Sequence, residues 1–423
     1  MRLELSSTEN CVSFHFLIEE HDEAVVANSK MDNTTFTFAG PVGWSIDECH
    51  PDHIALAAIL CAYPWARDVL HLPFEVSERF SESFAGLRLK VEPCSAKIKP
   101  YVSGDNSKPG LAFSGGVDST AALSVMPKST IPIFMNRPQK MLTRTLYDKD
   151  AALRACDILD TIGYNVQVLD CDLEYLRSPI GFPTDLANAV PLILTATWFD
   201  IDSIAFGTVL ESLYSVGRKE FKEYSKTSHY KVWWKPFAGA GIDLNFPVGG
   251  VSEVGTELIC AKSKIGFIAQ SCIRGTWENP CMNCWKCFRK EMIKSGLNLK
   301  EYSLPVMKKM LAARDVKKQI KLIPIKHENV LLFSAQRLRD KELPPSIASR
   351  LDYKEDLSAL MKWYSPSRDF IYPSHLEATE RNLMMLLGVM DEKDLAMIEE
   401  WSMKEWLESL ERIQEDKRTE STN

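Results

Sequence analysis

Residues 111–126, LAFSGGVDSTAALSVM, constrain the fold of this chain more than any other feature of its sequence. Residues 111–113 are apolar and predict the end of a buried strand, while residues 118–126 predict the start of a helix. Between them, Gly115 and Gly116 allow positive φ values and a close approach of the backbone to a ligand. Free amide groups and the helix dipole favour negative charge at such a junction. The stretch therefore predicts an anion-binding loop.

The side chains of this loop are of the types that bind phosphate. The hydroxyls of Ser114, Ser119 and Thr120 are short hydrogen-bond donors, and Asp118 is placed either to orient a magnesium ion or to cap the helix. Neither the GxxxxGK[ST] string of a Walker loop nor the GxGxxG string of a dinucleotide-binding fold occurs here. An ordinary glycine-serine turn before a helix is the alternative interpretation.

From about residue 110 the pattern alternates between strand and helix. This alternation predicts an α/β fold with a parallel, doubly wound sheet that has helices on both faces. Ligands of such sheets bind at the carboxyl ends of the strands, beside the switch in strand order. We therefore expect one nucleotide site there, with Glu211 either a second carboxylate of the site or a solvated loop residue. The predicted nucleotide-binding residues are Ser114, Gly115, Gly116, Val117, Asp118, Ser119, Thr120, Phe134, Asn136, Gly207 and Glu211.

Turn signals and changes of pattern divide the chain into three predicted regions. The 423 residues, 45% hydrophobic and 25% charged, suffice for two or three globular domains. Residues 1–105 predict an N-terminal α+β domain, with short strands around a buried helix at residues 51–62. Residues 106–292 hold the alternating strands and helices. Residues 293–423 predict a helical region that ends in a disordered tail.

Residues 218–235 are polar and aromatic, with lysines between the rings. A long stretch of this kind predicts either a lid over the site, with Arg218 or Lys235 on a phosphate, or a surface hairpin that packs its tryptophans. The hairpin is the favoured interpretation.

Charge and hydropathy bear on partners and location. A net charge of -7 argues against a surface built throughout for nucleic acid, although the basic residues 308–321 leave a local contact with RNA or an acidic partner open. No apolar run approaches the roughly 18 residues of a membrane span, and no secretory leader is evident. We therefore expect a cytoplasmic protein without membrane contact, and the oligomeric state stays open.

Four cysteines form the second constellation of the sequence: Cys272, Cys281, Cys284 and Cys287. Thiolates bind zinc tetrahedrally, and a CxxCxxC knuckle with one further cysteine upstream can close the coordination shell without water. The spacing predicts a structural Zn²⁺ site. An iron-sulfur cluster is the alternative occupant.

Two motifs resemble known families. The loop SGGVDST matches the signature SGGxDS[ST] and so resembles the PP-loop, or N-type, ATP pyrophosphatases. The segment SCIRGTWENPCMNCWKCFRK, with Ser271 before the first cysteine and Arg289 after the last, is similar to the zinc site of the 7-cyano-7-deazaguanine synthases, the QueC family. Together the matches span roughly residues 110–292. The resemblance implies an adenine nucleotide α-hydrolase-like fold, the cofactors ATP, Mg²⁺ and Zn²⁺, and catalytic roles for Ser114, Asp118 and Ser119.

The resemblance also implies an activity, that of an ATP-dependent carbon-nitrogen ligase. Such an enzyme activates a small-molecule carboxylate, 7-carboxy-7-deazaguanine or a similar acid, as an acyl-adenylate with release of pyrophosphate, and a nitrogen nucleophile then attacks. The LxKxEI-like helix usual before the zinc segment is absent from VSEVGTELICAKSKIGF, which leaves the exact substrate open.

The chain carries about 105 residues in front of the matched segment and about 130 behind it. Such additions resemble the extended QueC-like proteins of bacterial antiphage defence operons, the QatC type, in which a deazaguanine would be conjugated to a protein partner from the same operon. Two further alternatives stay open. One is a PP-loop enzyme that modifies tRNA, for example by thiolation with Cys156 or Cys171, and the other is a non-catalytic subunit that binds nucleotide.

Overall fold

The computed structural model describes residues 1–139, 148–322 and 324–409, and its strands form three sheets within these ranges. The strands are β1 (Arg2–Thr8), β2 (Cys11–Leu17), β3 (Val25–Val26), β4 (Ser29–Met31), β5 (Thr35–Ala39), β6 (Val69–Ser77), β7 (Lys90–Ser95), β8 (Lys108–Phe113), β9 (Ile131–Asn136), β10 (Gln167–Asp170), β11 (Arg177–Ser178), β12 (Ile201–Ala205) and β13 (Asp243–Asn245).

The helices cover the sheets and fill the second half of the chain. They are α1 (Pro51–Ala62), α2 (Glu78–Glu82), α3 (Val117–Val125), α4 (Asp150–Thr161), α5 (Val190–Leu194), α6 (Ala196–Phe199), α7 (Leu210–Leu213), α8 (Ser228–Gly239), α9 (Glu253–Lys262), α10 (Trp285–Gly296), α11 (Leu304–Ala312), α12 (Arg314–Gln319), α13 (Glu328–Arg337), α14 (Pro345–Ala348), α15 (Pro373–Leu387) and α16 (Glu392–Glu399).

A parallel five-stranded sheet positions the predicted loop. Its order is β10-β9-β8-β12-β13, and each neighbouring pair is parallel. Side chains alternate between the faces of a strand, so Leu111 and Phe113 of β8 pack with α3, α4 and α9, while Ala112 belongs to the core that contains α5. The chain therefore is a mixed α/β protein, as predicted. Because β9 and β12 flank β8, the strand order changes direction beside the end of β8.

The N-terminal region is a mixed sheet of order β5-β2-β1-β6-β7 packed on α1. Helix α1 has the predicted bounds, with Pro51 at its first turn and the His50 side chain accepting a hydrogen bond from the Asp52 amide at 3.2 Å. The region is joined to the parallel sheet, because β4 pairs with β11 and the Thr37 amide donates to Asp172 Oδ1 at 2.7 Å. One apolar core continues from α1 into α5.

The described C-terminal residues fold back over the sheet. Helix α15 packs on α3 and α9, and Asn382 Nδ2 donates to the Val125 carbonyl at 2.9 Å at the end of α3. Helices α10 to α13 pack together around the cysteine segment. The predicted disordered tail lies outside the described residues.

The stretch of residues 218–235 is not a hairpin, and that prediction is wrong. The Thr227 side chain caps α8 by accepting from the Tyr230 amide at 3.2 Å, which starts a helix. Trp233 is buried in the core against α1 and its neighbours, with its ring 4.9 Å from that of Tyr63. Within the described ranges, none of the helices combines the length and the apolar character that crossing a membrane requires.

Candidate functional site

The 114–120 loop follows β8 and opens α3. Gly115 has φ +71, and a Cβ atom there would lie 3.2 Å from Ala152 Cα, so this position needs glycine for both its conformation and its close packing. The Gly115 carbonyl accepts a hydrogen bond from the Gln270 amide at 2.7 Å. Gly116 is the N-cap of α3 with φ -83, and Val117 is buried beneath it. The strand, loop and helix therefore occur where the sequence predicts them.

Two serine hydroxyls hold the loop in its curved shape. Ser114 Oγ lies 3.0 Å from Ser119 Oγ, and Ser119 Oγ also accepts from the Ser114 amide at 3.2 Å. Ser119 Oγ in turn donates to the Gly116 carbonyl at 3.1 Å. Thr120 is fully buried, and its hydroxyl has no hydrogen-bond partner among the described residues. The loop conformation thus depends mainly on hydrogen bonds between its own neighbours.

Gly207 brings a second segment against the loop. A Cβ atom on Gly207 would lie 2.7 Å from both Asp118 C and Ser119 N, so the chain that leaves β12 touches the first turn of α3 and only glycine fits there. Asn136 lies at the end of β9, where Lys149 Nζ donates to its Oδ1 at 3.1 Å. Phe134 is buried in the core shared with Val117. These residues share the carboxyl edge of the sheet, and their contact with a nucleotide stays a prediction.

Asp118 joins the loop to helices α9 and α10. Its Oδ1 accepts from the Thr256 hydroxyl at 2.9 Å and lies 3.5 Å from Lys290 Nζ. Asp118 lies in the first turn of α3, and the N-cap of this helix is Gly116. The Asp118 side chain is 29% exposed, which leaves it accessible to a ligand such as Mg²⁺.

Behind Asp118 lies a set of buried ionic groups, which we call the buried charge cluster. Glu253 Oε1 is 2.9 Å from Arg289 Nη2 and forms a short hydrogen bond with His327 Nδ1. Lys290 Nζ lies 3.8 Å from Glu253 Oε2 and 3.5 Å from Glu257 Oε1. All five side chains are buried. Only Arg289 belongs to a motif of the sequence, and the other four residues could not be predicted because nothing in the local pattern shows that they meet.

The members of the buried charge cluster stabilise one another's charged forms. Burial opposes ionisation of Glu253, but Arg289, Lys290 and His327 hold the pKa of its carboxyl well below the usual range. Burial likewise opposes the charge of Lys290, yet Asp118, Glu257 and Glu253 raise the pKa of its ammonium. The cluster is therefore a set of ions that depend on each other.

Glu211 belongs to this buried region. The Glu253 amide donates to both of its carboxylate oxygens, at 3.3 and 3.2 Å, and Asn329 Nδ2 donates to Oε1 at 2.8 Å. Burial, together with the charge of Glu253, raises the pKa of Glu211 to about 7. The side chain has no exposed surface, so it is not a solvated loop residue and does not fit a direct magnesium ligand. Its predicted contact with nucleotide stays a prediction that this geometry does not favour.

The four predicted metal ligands come together. Their Sγ atoms all lie within 4.8 Å of one another, and those of Cys281 and Cys287 are 3.8 Å apart. Zinc with Zn–S bonds of about 2.3 Å in tetrahedral geometry requires sulfur atoms about 3.8 Å apart. Backbone amides of Cys281 and Cys287 donate to the Sγ atoms of Cys272 and Cys284 at 3.3 and 3.4 Å, as they do around thiolates. The cluster of Cys272, Cys281, Cys284 and Cys287 could therefore hold a metal ion such as zinc.

Helix α10 connects the cysteines with the loop. Cys284 is its N-cap and Cys287 lies in its first turn, and Arg289 and Lys290 follow in the next turn. From the same helix Lys286 Nζ reaches the loop, since a Cβ atom on Gly116 would lie 3.9 Å from it. A metal ion at the cysteines would thus fix the start of the helix that carries Lys286 and Lys290 toward the loop.

A cavity of about 640 Å³ opens at the carboxyl end of β12. One wall comes from the segment after β12 and the other from the chain between α7 and α8. Its lining residues are Asp185, Leu186, Phe206, Gly207, Thr208, Ser212, Leu213, Ser215, Arg218, Lys222, Tyr224, Lys226, Thr227, Ser228 and His229.

The fold and site thus define a mixed α/β protein with a parallel sheet, a glycine-serine loop and a four-cysteine cluster. Residues 232–402 are similar to a family model described as a family of unknown function, DUF6395. That segment contains the cysteine cluster and all five residues of the buried charge cluster. The 114–120 loop precedes it. No curated protein and no solved structure matches the chain.

Proposed function

We propose that this chain is a PP-loop enzyme of the QueC-like type, which uses ATP to adenylate a carboxylate and passes the acyl group to a nitrogen nucleophile. The observation that supports this best is the position of the 114–120 loop. It lies at the carboxyl end of the central strand β8, beside the change in strand order, with the start of α3 directed into it. Ligands of doubly wound sheets bind at this place.

The strand order supports the proposed fold. The sheet order β10-β9-β8-β12-β13 places the first strand of the sheet in the middle, with its successors on either side. This is the 3-2-1-4-5 arrangement of doubly wound nucleotide-binding sheets. It is consistent with an adenine nucleotide α-hydrolase-like fold.

In the proposed reaction the chain binds and orients ATP and the acid. The loop amides and Lys286 would hold the β- and γ-phosphates, and Asp118 would hold Mg²⁺, which supplies positive charge as pyrophosphate leaves. A carboxylate oxygen of the substrate attacks the α-phosphorus, the bond to pyrophosphate breaks, and an acyl-adenylate forms. The nitrogen nucleophile then attacks the acyl carbon, loses a proton, and AMP leaves.

The cysteine cluster would hold a structural ion in this scheme. Four thiolates fill a tetrahedral shell and leave no position for water or substrate, so the ion would stabilise the start of α10. Arg289 and Lys290 would act through the carboxylates that they position, Glu253 and Asp118.

The thiolation alternative is poorly supported by the described cysteines. Cys156 and Cys171 are buried, and burial raises the pKa of the Cys156 thiol to about 12. Cys260 lies beside the loop, with its thiol 3.5 Å from the Val117 carbonyl, but it is buried too and burial raises its pKa. A thiolate nucleophile is therefore disfavoured at all three positions.

The test is product analysis with purified protein, ATP, Mg²⁺, 7-carboxy-7-deazaguanine and ammonia, with a parallel sample that contains candidate partner proteins. We expect AMP and pyrophosphate, with either an amide or nitrile or a protein adduct. The rate of AMP formation should fall about 100-fold in each of the variants Asp118→Ala and Lys286→Ala. The first removes the proposed ligand of Mg²⁺, and the second removes a cation proposed to bind the phosphates. The matched control Asp157→Ala changes an exposed residue of α4 and should keep full activity. Formation of ADP and phosphate instead would contradict the proposal.

A further inference from the structure

The cavity at the carboxyl end of β12 adjoins the first turn of α3, and Gly207 lies between them. Gly207 lines it, and the same residue touches the backbone of Asp118 and Ser119. At about 640 Å³ the cavity has the size of a small-molecule pocket, which is typically about 300–1,000 Å³. The cavity thus lies beside the loop that we propose binds the phosphates of ATP.

The cavity is lined by more cations than acids. Arg218 and Lys222 make no ion pair among residues 1–139, 148–322 and 324–409. Lys226 is paired with Glu223, whose Oε2 is 2.6 Å away. The one acid in the lining, Asp185, is already bonded to His229. These two cations are exposed, and the acid of the cavity lining forms no ion pair with either of them.

The remaining polar groups of the cavity are hydroxyls and one imidazole. His229 Nε2 lies 3.3 Å from Asp185 Oδ2, and the buried Tyr224 hydroxyl lies 2.9 Å from His229 Nδ1. This pairing fixes the orientation of the ring, with Nε2 facing the acid and Nδ1 facing the phenol. Ser212, Ser215 and Ser228 add neutral donors. The lining thus suits an oxyanion.

The backbone that carries Arg218 is held rigidly. Gly217 has φ +79, and a Cβ atom there would lie 1.8 Å from Asn329 Oδ1, so the turn fits closely against the start of α13. The Glu328 amide also donates to the Gly217 carbonyl at 3.1 Å. Arg218 therefore follows a closely packed turn. This turn contacts Asn329, the residue that donates a hydrogen bond to Glu211.

We propose that this cavity binds a phosphate group of the acyl substrate, so that the acid activated at the loop is a phosphorylated molecule. This inference rests on the proposed function, and it predicts that the free base 7-carboxy-7-deazaguanine, which has no phosphate, is a weaker substrate than a phosphorylated acid of the same kind. Arginine and lysine bind phosphate oxygens through charge-assisted hydrogen bonds. A free nucleotide and the terminal phosphate of an RNA strand both offer this chemistry.

Calorimetric titration of the full chain tests the inference with matched probes. Guanosine 5′-monophosphate and guanosine differ only in the phosphate, and we expect the nucleotide to bind at least about tenfold more tightly. The double variant Arg218→Ala/Lys222→Ala should abolish that difference, while its affinity for ATP with Mg²⁺ stays within about twofold. Lys231→Ala is the control, because Lys231 is exposed on α8 and does not line the cavity. An RNA oligonucleotide with and without a 5′-phosphate, in competition with the nucleotide, distinguishes the two phosphate sources.

Two outcomes would overturn the inference. The first is equal affinity of the unchanged protein for the nucleotide and the nucleoside. The second is a double variant that weakens ATP binding as much as nucleotide binding, which would assign the cations to the phosphates of ATP. The variant Asp118→Ala separates this result from failure of the proposed function. This variant should lose its affinity for ATP with Mg²⁺ and keep its affinity for guanosine 5′-monophosphate. The phosphate site is therefore tested independently of adenylation.

Discussion

The 114–120 loop and the buried charge cluster meet at Asp118 but are built in opposite ways. The loop is held by neutral hydroxyls within five positions of each other, such as Ser114 and Ser119. The cluster joins side chains far apart in the chain, and its pair of Glu253 and His327 spans 74 positions. The loop that we propose binds phosphate forms from a local motif, whereas the charges that support it require the whole fold.

The two regions also differ in how they respond to a change. Replacing a neutral hydroxyl of the loop removes one modest hydrogen bond. Removing one ion of the cluster leaves others buried without a counter-charge, which is far more costly. We therefore expect changes in the cluster to affect stability strongly, and changes in the loop to affect mainly nucleotide binding.

Metal removal should have the largest effect, because it acts on the helix that serves both regions. Chelation, or Cys284→Ser, should cost several kcal/mol of stability and weaken ATP binding as well, since α10 carries Cys287 together with Lys286 and Lys290. Metal analysis and calorimetry measure this, and one bound ion per chain is expected. The control Cys94→Ser changes an exposed cysteine outside the cluster. An unchanged melting temperature after complete metal loss would contradict the prediction that the metal ion stabilises α10.

Glu253→Gln tests the cluster directly. The substitution keeps the shape of the side chain but leaves Arg289 and Lys290 without their shared carboxylate, and we expect a loss of about 3–5 kcal/mol in the free energy of unfolding. Urea denaturation measures it. Glu377→Gln, at an exposed position of α15, should change stability little. Equal stability of the two variants would show that the cluster is not a unit.

Glu211 should make stability depend on pH. Its pKa in the folded protein is raised from 4.5 to about 7, so the folded state holds a proton that the unfolded state releases. The free energy of unfolding therefore falls as pH rises through this window. Between about pH 5 and pH 8 the unchanged protein should lose on the order of 3 kcal/mol relative to Glu211→Gln, which cannot ionise. Urea denaturation at both pH values measures the free energy of unfolding of the two proteins. A difference between the two proteins that is the same at both pH values would contradict this prediction.

Two glycine substitutions have the smallest expected effects on stability, and they compare the loop with its neighbouring segment. Gly207→Ala forces a Cβ atom against the backbone of Asp118 and Ser119 and should cost about 1–3 kcal/mol. Gly116→Ala meets only ordinary contacts, the nearest being Ser114 Oγ at 3.4 Å, and should leave stability nearly unchanged. Differential scanning calorimetry compares them. A larger loss for Gly116→Ala would show that the loop itself, and not its contact with Gly207, limits stability.

The same distinction explains what the sequence could predict. Helix α1 and the loop were predictable because Pro51 and the paired glycines act locally. The cysteine cluster was predictable because the ligand spacing is a chemical requirement of the metal. In each case the signal lies within a few residues of the feature.

Features that depend on distant partners were not predictable. The prediction of a hairpin at residues 218–235 failed because burial of Trp233 against Tyr63 is a long-range contact. Glu211 was expected either at the nucleotide or in solvent, whereas its partner Asn329 lies 118 positions away. The buried charge cluster was missed for the same reason.

The most direct test of adenylation follows the oxygen atoms of the acid. The substrate carboxylate is labelled with oxygen-18, turned over with ATP and Mg²⁺, and the nucleotide product is analysed by mass spectrometry. Because the attacking carboxylate oxygen stays on the α-phosphorus when the nitrogen nucleophile displaces AMP, the account predicts one label in AMP and none in pyrophosphate. Unlabelled AMP, or label in inorganic phosphate with ADP as the nucleotide product, would contradict it.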